Sequence, residues 1–183
     1  GIMRYVLPMT VFLKLKDIGQ KVLPPYREDF IEVPMTDVQD AAYSRMAGVL
    51  VKELKKALAL GDHSLLGVVM NVLLAWPDCC ARPESVRHPR TKALLYQLPA
   101  IFTDADVAPK EAELVRICKA EKARGRRVLA YTVYSGTRDT TARIKALLEA
   151  EGLKVAVLRA SVDAAKREDW VADQVERGID VLV

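Results

Sequence analysis

The spacing of apolar and polar side chains is most regular in the last third of the chain. Val128 to Val133, Val155 to Leu158 and Asp180 to Val183 are short apolar runs, separated by helically spaced segments over Asp139 to Glu151 and through Trp170 and Val171 to Gly178. A β-α-β-α-β alternation predicts a parallel sheet, because a crossover helix returns each strand in the same direction as the last. The nearly continuous apolar run from Val128 to Val133 predicts a strand covered on both faces. Three strands with an open edge, the last one short, are few for a domain. The pattern therefore predicts an incomplete α/β sheet belonging to something longer.

Upstream the pattern is mainly helical. The opening through Val33 reads as extended or turn-like around Pro8, Pro24 and Pro25, with Phe30-Ile31-Glu32-Val33 alternating as a half-buried strand would. Thr36 followed by Gln39 predicts a capping box, and Val38, Ala41, Ala42, Met46, Val49, Leu50 and Leu54 predict a helix that runs to Gly61. Lys52, Lys55 and Lys56 lie near its C-terminal end, where they complement the helix dipole as a solvated face. Asp62 or Ser64 caps a second helix over Leu65 to Trp76, apolar nearly all round and so expected to be sandwiched, with Pro77 ending it. From Pro77 to Ala108, Pro83, Pro89 and Pro99 with Arg82, Arg87, His88 and Arg90 predict an irregular connector. Pro109 then suits a first helical turn, Leu114, Ile117 and Cys118 form an apolar face, and Gly125 closes that helix. This divides the chain into an N-terminal part, 1–108, and an α/β part, 109–183.

Composition narrows the class. Hydrophobic residues at 51% and charged residues at 28% describe a globular chain, and 28 Lys and Arg against 24 Asp and Glu leave +4. That balance is compatible with a polyanionic partner without the charge density of a dedicated nucleic-acid binder. Cys79, Cys80 and Cys118 make an odd set without a disulfide framework, which points to a reducing, cytoplasmic setting. The longest apolar run, Leu65 to Trp76, is interrupted by Asn71 and falls short of the roughly 20 residues of a membrane span, so no membrane partner is expected. Met3 to Pro8 lacks the order of a signal peptide, and Gly1-Ile2 reads as an addition ahead of Met3.

Phosphate and metal chemistry find little here. None of the nine glycines forms a phosphate loop, the nearest pair being Gly61 and Gly67 followed by Val68-Val69, and the dinucleotide fingerprint is missing too, which disfavours a Rossmann-like enzyme. Asp139 and Asp163 open helices, where capping accounts for them. Adjacent Cys79 and Cys80 with His88 make a poor zinc set, Cys118 reads as a core thiol, and His63 as a helix-start residue; no metal ligand and no catalytic residue is expected.

The order of the segments is similar to that of a known family. Leu23-Pro24-Pro25, then Gln39 and Tyr43 on a helix, an apolar helix with a proline, a basic connector, Pro109-Lys110 and Arg127-Val128-Leu129-Ala130-Tyr131 together resemble the C-terminal half of Swi/Snf-like superfamily-two helicases, over essentially the whole chain. Leu158-Arg159-Ala160-Ser161 with Arg167 resembles the family's next motif, with Arg159 and Ala160 in place of its acidic residue and glycine; Val133 stands where glutamine is common. The resemblance implies a RecA-like, P-loop NTPase-type parallel sheet, incomplete, preceded by a mainly helical subdomain. The leucine-proline-proline segment would leave the first motor lobe, and 109–183 would be part of the second.

The resemblance also implies a function: a fragment of an ATP-dependent DNA helicase or translocase whose second lobe grips the nucleic-acid backbone. ATP and Mg would serve the full-length parent and not this fragment, which lacks the phosphate loop and the arginine finger and is expected to be inactive alone. Its partners would be DNA, or RNA, and the first motor lobe of the same chain. Thr132, Tyr134, Ser135, Arg138, Arg159 and Ser161 are the expected backbone-contacting residues, holding phosphates without reading sequence. The alternative is a non-catalytic α/β module that docks a protein partner on its exposed half-sheet.

Overall fold

The computed structural model describes residues 27–134 and 136–183. Leu23-Pro24-Pro25, Pro8 and Ser135 lie outside the described residues. The chain divides into the units Gly1–Glu32 and Val33–Val183, and every described helix and strand lies in the second. Phe30 to Val33 carry no strand, contrary to the alternation there: Phe30 is 89% exposed and Pro34 follows directly. A short alternating run forms a strand only if a neighbouring strand accepts its hydrogen bonds, and among the described residues no strand pairs with it.

Helix α1, Asp37–Ala59, starts where its sequence says it should. The Thr36 hydroxyl accepts the Gln39 amide at 3.2 Å, Asp37 and Asp40 sit in the positive first turn, and Gly61 follows the end at φ 74°. The reciprocal half of the expected capping box is absent. The Gln39 side chain is buried and donates instead to the Pro77 carbonyl at 3.2 Å and to Cys80 Sγ at 3.0 Å, tying α1 to the end of the next helix.

Helix α2, Ser64–Cys79, passes through Pro77 rather than stopping before it. A proline in a helix leaves the carbonyl four residues earlier without its amide partner. That carbonyl is Leu73, and the Tyr43 hydroxyl of α1 donates to it at 3.3 Å. The freed acceptor is thus satisfied from the neighbouring helix, which lets the last turn continue. Nor is α2 sandwiched as its apolar circumference suggests. Val69, Val72 and Trp76 are buried with Ala42, Met46 and Leu50 of α1, whereas Leu66, Met70 and Leu74 are 45%, 50% and 63% exposed along an open face.

The expected irregular connector contains a β-hairpin. Strands β1, Glu84–Arg87, and β2, Leu94–Leu98, pair antiparallel with Glu84 opposite Leu98 and a bulge between Val86 and Arg87. Pro83 and Pro99 flank the strands and Pro89 lies in the turn, so no proline removes a ladder bond. Val86 and Leu98 point into the α1–α2 core, and at the tip Arg90 pairs with Asp62, which also accepts the Ser64 amide at 2.9 Å. The Ser64 amide, joined by Arg90, holds the Asp62 carboxyl well below the usual carboxylate range.

Helix α3, Pro109–Ala123, opens on its proline, with Glu111 accepting the Ala108 amide at 2.8 Å, and ends before Gly125 at φ 69°. Then come β3, Val128–Leu129, helix α4, Thr141–Ala150, strand β4, Val155–Ala156, helix α5, Arg167–Glu176, and β5, Val181–Leu182. The sheet is parallel, as the alternation predicts, in the order β3-β5-β4, with Val181 opposite both Val128 and Val155. The last strand is therefore the central one, and Val181 is fully buried. One face packs Val128, Val155 and Val181 with Cys118 and Leu148; on the other, α5 brings Trp170 and Val171 over Ala156 and Leu182. Here the expected burial of both faces fails. Leu129, Tyr131 and Val133 are 74%, 87% and 73% exposed, because alternate side chains of this run project beyond the cover that α5 provides.

Tyr43→Phe should lower unfolding free energy by about 1 kcal/mol in chemical denaturation. Its cost should shrink in a Pro77→Ala background, where a helical amide competes for the Leu73 carbonyl. Burial also raises all three thiol pKa values, that of Cys80 from its ordinary 9.0 to about 11. The unfolded Cys80 thiol ionises first, so its contribution is complete below pH 9.0 and is lost as pH rises through about 11. Alkaline urea titrations should show a shallower stability loss over that window in Cys80→Ala than in wild type.

Candidate nucleic-acid interface

The parallel sheet ends in a cleft. Beyond the ladder, Ala130 donates to the Leu182 carbonyl at 2.8 Å and Leu158 to that of Val183 at 2.8 Å, so the chains leaving β3 and β4 still flank the end of β5. A cavity of about 560 Å³ opens there, lined by Tyr131, Thr132, Tyr134, Asp139, Arg159 and Arg167 among others. Carboxyl ends of parallel strands are where open α/β sheets place ligands, because the loops there are free of sheet bonding.

Of the residues the sequence singles out, the structure brings Thr132, Tyr134 and Arg159 to this one cleft. Arg159 is 62% exposed, and its Nη1 stands 3.9 Å from Asp139 Oδ2. The other oxygen of Asp139 accepts the Thr141 amide at 2.9 Å and the Thr141 hydroxyl at 2.6 Å, capping α4. Those bonds, the hydroxyl first, with Arg159 and Arg82 nearby, hold the Asp139 carboxyl below its ordinary pKa. At 3.9 Å and with this exposure the pairing with Arg159 is weak, so the guanidinium can turn to another anion at little cost. Ser161 is exposed on the loop beyond Arg159 and does not line the cleft.

Arg138 departs from the expectation of a phosphate contact. Its Nε and Nη2 donate to the two oxygens of Glu84, each at 3.1 Å, and its Nη1 donates to Asn71. The side chain is 24% exposed and Glu84 14%, so the forked pair is largely withdrawn from solvent. A guanidinium committed to a carboxylate at both prongs is a strut between the post-β3 turn, Gly136–Arg138, and the helical part, not a free cation.

Arg82 is the residue that sequence reading misses. From the chain just before β1 it donates to the Thr137 carbonyl at 2.6 Å and to the Asp139 carbonyl at 2.5 Å, while the Cys79 thiol lies 3.7 Å from the Arg138 carbonyl between them. In sequence Arg82 is one basic residue among several in a proline-rich stretch, and its partners are more than fifty positions away. Arg143 of α4 is similarly committed, donating to both oxygens of Glu111 at 2.6 and 3.0 Å. Among the described residues no group of His, Cys, Asp and Glu is placed to hold a metal ion.

No family model, no curated protein and no solved structure matches the chain. Arg138→Ala should destabilise by about 1–3 kcal/mol in chemical denaturation, since it leaves the largely buried Glu84 carboxylate without its partner. Adding Glu84→Gln to that variant should cost less than the two single changes summed.

Proposed function

We propose that this chain is part of a Swi/Snf-like superfamily-two motor and supplies the nucleic-acid-gripping portion of its second, RecA-like lobe. The observation that carries the reading is the meeting of Thr132, Tyr134 and Arg159 in one cleft at the carboxyl ends of three parallel strands. Strand order sets two other α/β folds aside. The last strand enters between the first two, which neither the Rossmann order nor the flavodoxin-like order allows for three successive strands.

The chemistry follows from the groups present. Hydroxyls of Thr132 and Tyr134 can donate to phosphate oxygens, and Arg159 offers a charged fork that matches a phosphate geometrically. Such contacts hold a backbone without reading bases and weaken as salt rises, because each neutralised phosphate releases condensed counterions. Arg138 takes no part, its fork being occupied by Glu84. ATP and Mg belong, in this reading, to the full-length motor and its first lobe. The sequence offers no glycine-rich phosphate loop, and no nucleotide step is assigned to these residues.

A second reading, a protein-docking α/β module, draws on the exposed row Leu129, Tyr131 and Val133, apolar side chains that run from β3 past its end. A salt series separates the two. Fluorescence anisotropy with a DNA oligonucleotide should show affinity falling log-linearly with salt, and Arg159→Ala should weaken binding and reduce the slope by about 1. Binding that is absent, or unchanged in the variant, would contradict the motor-lobe reading and leave the docking one.

A further inference from the structure

Three successive carbonyls, those of Thr137, Arg138 and Asp139, face donors from the helical part: Arg82, the Cys79 thiol and Arg82 again. The side chain of Arg138, in the same turn, reaches back to Glu84 and Asn71. A turn leaving a parallel strand ordinarily satisfies its carbonyls with water, since loops run over the surface. Here a charged fork spans two carbonyls two residues apart, which fixes both peptide planes and the chain direction between them.

We propose that Arg82 is a positioning residue for the cleft: its fork sets the path of residues 137–139, and through them the place of the Asp139 carboxylate in the cleft wall, 3.9 Å from Arg159. The helical part and its hairpin are then a scaffold for the loop rather than an appendage, and Arg82 touches no nucleic acid itself. The proposal rests on the motor-lobe reading for its functional meaning, while its structural content stands apart from any ligand.

Two measurements on the full chain keep those separate. In hydrogen exchange without ligand, Arg82→Ala should speed exchange of the hydrogen-bonded Asp139 and Thr141 amides by about tenfold or more, with Met46 and Val72 protected as in wild type. Arg82→Lys guards against a variant that fails to fold. It keeps the charge but not the fork, so it should give intermediate exchange of the same amides over an intact core. Wild-type exchange in that segment for a folded variant would overturn the proposal. In DNA anisotropy, Arg82→Ala should weaken binding with the salt slope unchanged, because no phosphate contact is lost, whereas Arg159→Ala lowers the slope. A slope that falls with Arg82→Ala would make Arg82 a direct contact and overturn the positioning role. No DNA binding by wild type, with faster loop exchange in the variant, would sink the motor-lobe reading and leave the scaffold intact.

Discussion

Two guanidinium groups cross between the helical part and the parallel sheet in opposite directions. Arg82 reaches from the chain before the hairpin to the carbonyls of the post-β3 turn, and Arg138 reaches from that turn to Glu84 at the start of the hairpin. Each keeps the other's segment in register, since moving either one costs the bonds of both. Lys110 of α3, pairing with Asp78 of α2 at 2.7 Å, adds a third link nearby. Salt bridges on an open surface contribute little, but forked bonds to carbonyls and to a half-buried carboxylate are lost only by leaving polar groups without partners. Without this exchange the α1–α2–hairpin cluster and the sheet would be two cores joined mainly by chain.

The consequence for chemistry is a division of labour among arginines that look equivalent in sequence. Arg82, Arg138 and Arg143 are spent on protein acceptors, whereas Arg159 faces the Asp139 carboxylate at 3.9 Å and remains mostly exposed. A cation loosely held beside a cleft, in a wall made rigid by its neighbours, binds an anion without first giving up strong bonds. The struts come from the helical part and the available charge from the sheet. That coupling is why the two parts matter to one another.

Much of the fold is legible in the chain itself. Thr36 and Gly61 bracket α1, Pro109 and Gly125 bracket α3, and the alternation after Val128 gives the parallel strands. What fails has a common origin in contacts distant in sequence. Pro77 stays helical because Tyr43 satisfies the carbonyl it frees, and Gln39 leaves its capping role because Pro77 and Cys80 offer buried partners. The hairpin hides among prolines that flank its strands instead of interrupting them. Exposure of Leu129, Tyr131 and Val133 depends on where α5 lies, which no local pattern encodes. For the cleft, the resemblance points to Thr132, Tyr134 and Arg159, which share one cavity, while the commitment of Arg138 to Glu84 and the carbonyl bonds of Arg82 need the third dimension.

The central claim is that a phosphate backbone is held at the carboxyl end of this sheet. Amide chemical-shift mapping during titration with a short DNA strand tests it residue by residue. Shifts gathered at Thr132, Tyr134 and the Leu158–Ser161 segment are the predicted result. Shifts confined to the open apolar face around Leu66, Met70 and Leu74, or none at all up to saturating oligonucleotide, would contradict it.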